Sequence, residues 1–519
     1  MFSNKEAVVS FWADYPTESS GRDPLAIQNS SVVIYTNLVV GITNVTNRVR
    51  YMGFYCWLFD EIAHKTHKTN SLKEQQKYLR RAELLLAYLY VYIEDFKGVT
   101  GISGTTYAFK KKASIIRLDE GADIENKTAG LYWKFGMGVF GQYYSGVMRD
   151  LDLIVHPQED INVYVPTDKG IRLAQAYDAN ISLNAKKLFL QSIWRGFIYE
   201  EQVFELSSLG LHLIPDHTTE QKLYRDIMLA EDNNSFIFTY HRKTTIYQLL
   251  QLLKDNREGI ENLTGTFLRV NYVNHAGINE LEDNTATAWY IYEINELLHV
   301  AFEHFHASFQ YRIEIYPTPM SETINILVEE TTKAFESKNK IGITYNILNL
   351  VHEADISKTY EYFWGMLDDY KNNDWGNCLN NAIHTILTVY KQCKHQMQSI
   401  YSITSLPANN YVRPGHAFEM MRDLVESKLS LSLSEYCKEL LLQAINQHMF
   451  SSYQKSRIGQ GLVHNYMIDD NMAWRVRDTA PGRSSPRLNN TIQYLCDIGF
   501  IARKEYLYSI TEDGLKAIE

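Results

Sequence analysis

Residues 487–519 read RLNNTIQYLCDIGFIARKEYLYSITEDGLKAIE. The stretch Arg487–Ile498 has the apolar periodicity of an amphipathic helix, and Gly499 stops it. IARKEYLYSI then reads as a β-hairpin, and Thr511 caps a last short helix in TEDGLKAIE. The same pattern occurs earlier in the chain. Asp150-Leu151-Asp152-Leu153-Ile154 aligns with Asp497-Ile498-Gly499-Phe500-Ile501, and Tyr164, Thr167 and Gly170 align with Tyr508, Thr511 and Gly514. The two copies differ in the length of the hairpin turn, where extra residues cost little.

A helix, an apolar pair, a hairpin and a Thr-x-x-Gly helix start resemble the end of a winged-helix module. That resemblance implies DNA binding, or docking to protein. In the C-terminal copy, Arg487, Asn489, Asn490 and Gln493 fall where a recognition helix meets base edges, and Arg503 with Lys504 where a wing meets phosphate. Arg475, Arg477, Arg483 and Arg487 lie close together, interrupted by Pro481, Gly482 and Pro486. The expectation is a mobile basic arm suited to phosphate contact. The first copy carries Asp150, Asp152, Glu159 and Asp160, which repel phosphate.

Nearer the N-terminus, GITNVTNRVRYMGFYCW spans Gly41–Trp57. Thr43 or Asn44 is the expected cap of a helix whose face carries Tyr51, Phe54, Tyr55, Leu58, Phe59 and Ile62. Arg48 and Arg50 stand about 200° apart around a helix and cannot share one carboxylate. Arg48 is therefore a candidate phosphate reader. Arg50 is expected to pair internally; in the other reading, both arginine stems cover aromatic surface and pair with Asp60, Glu61 or Glu83. The Gly-Ile-Thr turn, Arg-x-Arg-Tyr and closing Trp, continued by RRAELLLA (Arg80–Ala87) and GISG (Gly101–Gly104), resemble an uncharacterised prokaryotic family associated with phage defence. The resemblance implies a context and no particular activity.

The composition bounds the rest. The chain has 519 residues, 45% hydrophobic and 22% charged, as an ordinary globular protein has. Only 11 prolines favour long helices. Lys and Arg total 51 against 61 Asp and Glu, a net charge of −10, so nucleic-acid contact must come from local patches. Five cysteines without a CxxC pair indicate neither a disulfide framework nor a zinc knuckle. The longest apolar run, Leu84–Ile93, is half a membrane span, and a cytoplasmic protein without a membrane partner is expected. The 36 tyrosines suit large protein interfaces, or simple packing.

Enzyme motifs are weak. No Gly-Lys dipeptide occurs, so there is no P-loop. GMGVFG (Gly136–Gly141) fits G-x-G-x-x-G without the strand–helix alternation of a dinucleotide fold. Glu293, Glu296, His299 and Glu303 share a helix face, with His304 and His306 nearby. Glu296-x-x-His299 is half of a di-iron motif, and a satisfied polar helix face is the expected reading. PDHTTEQK (Pro215–Lys222) places Asp216 and Glu220 too close for a nuclease pair drawn from two strands. Cys56 and Cys393 read as buried thiols. No catalytic residue, metal or cofactor is expected.

The expected fold is mainly α: a multi-helical body with two small winged-helix-like (α+β) modules. The expected segments are 1–125, helical with the basic and aromatic signature; 126–180, the first module; 181–475, the helical body; and 476–519, the C-terminal winged helix. This layout is similar to the non-ATPase subunits of SMC-like complexes. It implies a non-catalytic DNA-binding adaptor in an anti-phage defence complex, coupling DNA sensing to a partner SMC-like ATPase or nuclease. Two other readings stay open at this stage: a metal-dependent nuclease and a free-standing winged-helix transcriptional regulator.

Overall fold

The structure, a computed structural model, describes residues 23–65, 71–125, 130–157, 162–230, 239–339, 346–405, 416–457 and 463–519. Glu159 and Asp160 lie outside the described residues. Among those described are 22 α-helices and four small antiparallel sheets, so the chain is mainly α. The described residues form two compact units, one drawn from 23–36 and 268–485, the other from 37–267 and 486–519. The four consecutive segments expected from the sequence do not anticipate this interleaving, because the C-terminal module belongs with residues 37–267.

The first unit is built on the helix Thr285–Arg312, which is buried from Thr287 to Gln310. It packs against the helices Met320–Asn339, Thr359–Lys371, Trp375–Cys393 and Leu433–Arg457. A helix buried on all sides must also bury its polar positions, and each of those needs a partner. Thr318–Pro319, Met472–Arg475 and Tyr466–Asp469 form a three-stranded sheet with Met472–Arg475 in the middle.

The second unit centres on the helices Tyr51–Lys65 and Leu72–Tyr92. Within the expected helical body, the helix beginning at Leu183 is followed by a strand. The helix ends at Arg195, Gly196 adopts φ +90°, and Phe197–Tyr199 pairs as a strand with Ile115–Arg117. A left-handed glycine ends the helix, and a partner distant in sequence then sets the strand. The expected cap at Thr43 or Asn44 also fails, since the helix begins only at Tyr51. The carbonyls of Ile42, Thr43 and Thr46 accept side-chain hydrogen bonds and are not free for a helical ladder.

The two helix–hairpin–helix copies both lie in this unit. In the first, a π-turn Phe140–Tyr144 and helix Ser145–Asp150 lead to strands Ile154–Val155 and Val165–Pro166, then helix Asp168–Asp178. In the second, helix Leu488–Asp497 leads to strands Ile501–Lys504 and Leu507–Ile510, then helix Glu512–Ile518. Their junctions match bond for bond. Leu153 N–H donates to Met148 O (2.8 Å) as Phe500 N–H does to Leu495 O (2.9 Å). Thr167 Oγ1 donates to Asp152 O as Thr511 Oγ1 does to Gly499 O, both at 2.7 Å. The next helix is capped by Thr167 through Gly170 N–H and by Thr511 through Gly514 N–H. A Cβ on Gly170 or Gly514 would collide with the carbonyl oxygen of Leu153 or Phe500, so both positions require glycine.

Candidate nucleic-acid interface

The helix Leu488–Asp497 does not stand free. Arg487 Nη1 donates to Ile42 O at 2.7 Å, Asn490 Nδ2 to Thr43 O at 2.6 Å, and the Tyr494 hydroxyl to Thr46 O at 3.3 Å. One turn further on, Asp497 receives Arg48 Nη1 at 2.8 Å and the Val49 N–H at 3.3 Å. Burial pushes the Asp497 carboxyl up to about 6, although Arg48 and Gln493 favour its charged form. Gln493 donates to Asp497 at 2.9 Å. Of the residues expected to meet base edges, Arg487 and Asn490 thus lie on the backbone of the N-terminal signature, joined there by Tyr494 of the same helix. Asn489 is exposed and accepts from the Thr264 hydroxyl at 2.5 Å.

The wing is different. Arg503, Lys504, Glu505, Tyr506 and Leu507 are all exposed, Tyr506 to 75%. Arg503 stacks over the Tyr508 ring at 5.4 Å. Tyr508 exchanges two backbone hydrogen bonds with Ile260, both 3.0 Å, which ties the hairpin's second strand to the unit. The tip is therefore held firmly while its basic side chains face solvent.

The expected mobile arm is corrected by the structure. Arg483 enters the carboxylate row of the helix Thr285–Arg312. It pairs with Glu293, and its Nε lies 3.7 Å from Glu296. Ser484 donates to Glu296 from both N–H (2.8 Å) and hydroxyl (2.7 Å), and Gly482 N–H donates to Glu303 at 3.2 Å. Four buried polar residues on one helix face need partners, and the segment 482–484 supplies them. Arg475 lies on its strand with Nε 3.6 Å from Asp478 and its guanidinium 5.6 Å over Tyr311. Arg477 is exposed, and its N–H donates to Asn465 O. These three arginines belong to the first unit; Arg48, Arg487, Arg503 and Lys504 belong to the second.

The other motifs resolve as internal architecture. His299 hydrogen-bonds the carbonyls of Asn295 and Gly482. Burial would lower its pKa, but Glu296 and Glu303 beside it hold it above the ordinary value. Burial pushes the Glu303 carboxyl up to about 7, against the pull of His299. Among the described residues, no group of three or more His, Cys, Asp or Glu side chains is arranged to hold a metal ion. In Gly136–Gly141 the backbone N–H groups of Val139 and Phe140 do point at a carboxyl group, that of Glu83 at 2.9 and 2.8 Å, whose pKa burial raises against the pull of these hydrogen bonds. Tyr55 and Tyr132 hydroxyls complete this cage. Glu220 is the partner of Arg50, at 2.7 and 3.1 Å, in a fully buried bidentate pair. The expected partners are engaged elsewhere: Asp60 lies near His64, Glu61 pairs with Lys186, and Glu83 is the cage. Cys56 and Cys393 are buried, and burial pushes the Cys393 thiol up to about 12.

A second exposed basic element, Phe109-Lys110-Lys111-Lys112, lies in the same unit as the wing. Its signal was present as three consecutive lysines beside an aromatic residue. No helix among the described residues is long and apolar enough to cross a membrane. Comparison with protein-family models, with curated proteins and with solved structures finds no match to the chain.

Proposed function

We propose that this chain is a non-catalytic, nucleic-acid-engaging adaptor that grips the phosphate backbone with its C-terminal wing and leaves its helix Leu488–Asp497 as a structural brace. The observation that carries this reading is the division within the module. The helix lies on Ile42–Val49, while Arg503, Lys504 and Tyr506 at the wing tip face solvent. A hairpin offering cations and an aromatic ring supports backbone contact without base readout. Binding is then sequence-tolerant and salt-sensitive, as suits a subunit that senses the presence of DNA for a partner. The Gly41–Trp57 signature, which resembles a family associated with phage defence, supports an anti-phage context for this role, and the layout similar to non-ATPase subunits supports an SMC-like ATPase or a nuclease as the partner.

The test is fluorescence anisotropy of the full chain with labelled duplexes of unrelated sequence, across a salt series. We expect similar affinities for all duplexes, weakening steeply with salt, and a loss of about tenfold in the R503A/K504A variant. Strong preference for one sequence, or no binding at low salt, overturns the reading. Tagging this chain and co-expressing its genomic neighbours tests the adaptor role, for which a stoichiometric partner is expected on size exclusion.

A further inference from the structure

Phe109 is 68% exposed and stands directly before three consecutive lysines, an aromatic ring beside clustered cations. It lies in the last turn of the short helix Thr105–Lys110, and every residue from Phe109 to Ile115 is exposed. Lys110, Lys111 and Lys112 form no ion pair among the described residues. The Lys112 ammonium sits 5.2 Å from the Tyr92 ring centroid and 5.3 Å from that of Phe109.

The turn is anchored from below. The Tyr88 hydroxyl donates to Lys111 O at 3.2 Å. The Tyr92 hydroxyl donates to Ala113 O at 3.3 Å and accepts from Ala113 N–H at 2.9 Å. Both tyrosines come from the helix Leu72–Tyr92, so the lysines ride on a fixed backbone. The exposed surface continues along the strand pair. Ile115 lies opposite Tyr199 in register, 45% and 39% exposed, and Arg195 stacks over Phe197 at 4.5 Å. The carboxylates nearby are Asp119 and Glu120, both taken by Arg117, and Glu200.

We propose that Phe109–Lys112 is a binding platform for single-stranded nucleic acid, with a base stacked on Phe109 and flanking phosphates on the three lysines. A single strand repeats one π-face and one negative charge at every nucleotide, which is the pairing this turn presents. A paired base has its faces covered by its neighbours and cannot lie on Phe109. An acidic peptide would satisfy the lysines and leave the ring bare. The inference extends the nucleic-acid reading above by naming a second site and the strandedness it takes.

The experiment measures anisotropy of fluorescein-labelled dT20 and of a 20-base-pair duplex with four full-length proteins: wild type, F109A, K110A/K111A/K112A and R503A/K504A. The four platform side chains are exposed, so folding is preserved, and circular dichroism checks this. We expect F109A to weaken dT20 binding about tenfold, in the range of one base stacked on an aromatic ring. The triple variant makes the salt dependence of log K for dT20 shallower by about 2. Both variants leave duplex binding within twofold of wild type. If F109A binds dT20 as wild type does, or dT20 binding falls only in R503A/K504A, the platform is overturned while the wing reading stands. If duplex binding fails and dT20 binding shows the expected losses, the wing reading falls and the platform stands. Absence of dT20 binding at low salt overturns the platform outright.

Discussion

The guanidinium of Arg48 lies 2.8 Å from the carboxylate of Asp497, across 449 positions of sequence. The bond joins the N-terminal signature to the last turn of the C-terminal module's helix. Both side chains are largely buried, at 12% and 4% exposure, so the pair is shielded from salt. A double-mutant cycle with R48A and D497A should show a coupling of about 1–2 kcal/mol. Hydrogen exchange at residues 42–50 should quicken in either variant. Additive effects of the two substitutions would show that the pair holds nothing.

Arg50 and Glu220 are a stricter case, since neither side chain touches solvent. Removing one leaves the other charged and buried. Glu220→Ala should cost about 3–5 kcal/mol, and E220Q should cost less. Asn180 and Tyr224 also donate to Glu220, and they lose that acceptor in the alanine variant. Urea unfolding read by tryptophan fluorescence checks this. A cost below about 1 kcal/mol contradicts the buried pairing.

Glu303 makes the first unit sensitive to pH. Its carboxyl is raised to about 7, so the folded state holds a proton that the unfolded chain has already released. A raised carboxyl contributes stability that is present below its unfolded value, near 4.5, and is lost as pH rises through 7. His299, Asp23 and Lys455 are the charged groups around it. Between pH 5 and 8, the Tm of E303Q relative to wild type should move in the variant's favour by about 2–6 °C. An offset that stays constant with pH would remove Glu303 as the source.

The Glu83 cage predicts an inert glycine loop. Glu83 already fills the anion position that a dinucleotide phosphate would take, so millimolar NAD should leave the melting temperature unchanged. Glu83→Ala strands two tyrosine hydroxyls and two backbone N–H groups, with an expected cost of about 3 kcal/mol or more. Gly138 has φ +60°, and a Cβ there would collide with Glu83, so Gly138→Ala should also destabilise. A NAD-induced rise in melting temperature would reopen the nucleotide reading.

The two module copies make a paired prediction. Gly170→Ala and Gly514→Ala force the same collision and should each cost about 1–3 kcal/mol. Local hydrogen exchange should report the loss at Leu153 in one case and at Phe500 in the other. A tolerated substitution at either position would break the equivalence of the two copies.

The local grammar of this chain is written in its sequence. The helix Leu72–Tyr92, the long helix Thr285–Arg312, the hairpin Ile501–Ile510 and the caps Thr167 and Thr511 all follow from periodicity and from hydroxyls placed three residues before a backbone N–H. Those signals span a few residues, so a window of sequence contains them whole. The partners of the arginines were not legible. Arg48 reaches Asp497, Arg50 reaches Glu220 across 170 positions, and Arg483 reaches Glu293 across 190. Arg48 and Arg50 had Asp60, Glu61 and Glu83 nearer in sequence, and electrostatics alone favours all of them. The path of the chain brought one carboxylate into the same buried space, where an unpaired charge is too costly to persist. That choice turned a presumed basic arm into a strap tied to a buried helix face, and part of a presumed recognition face into a brace.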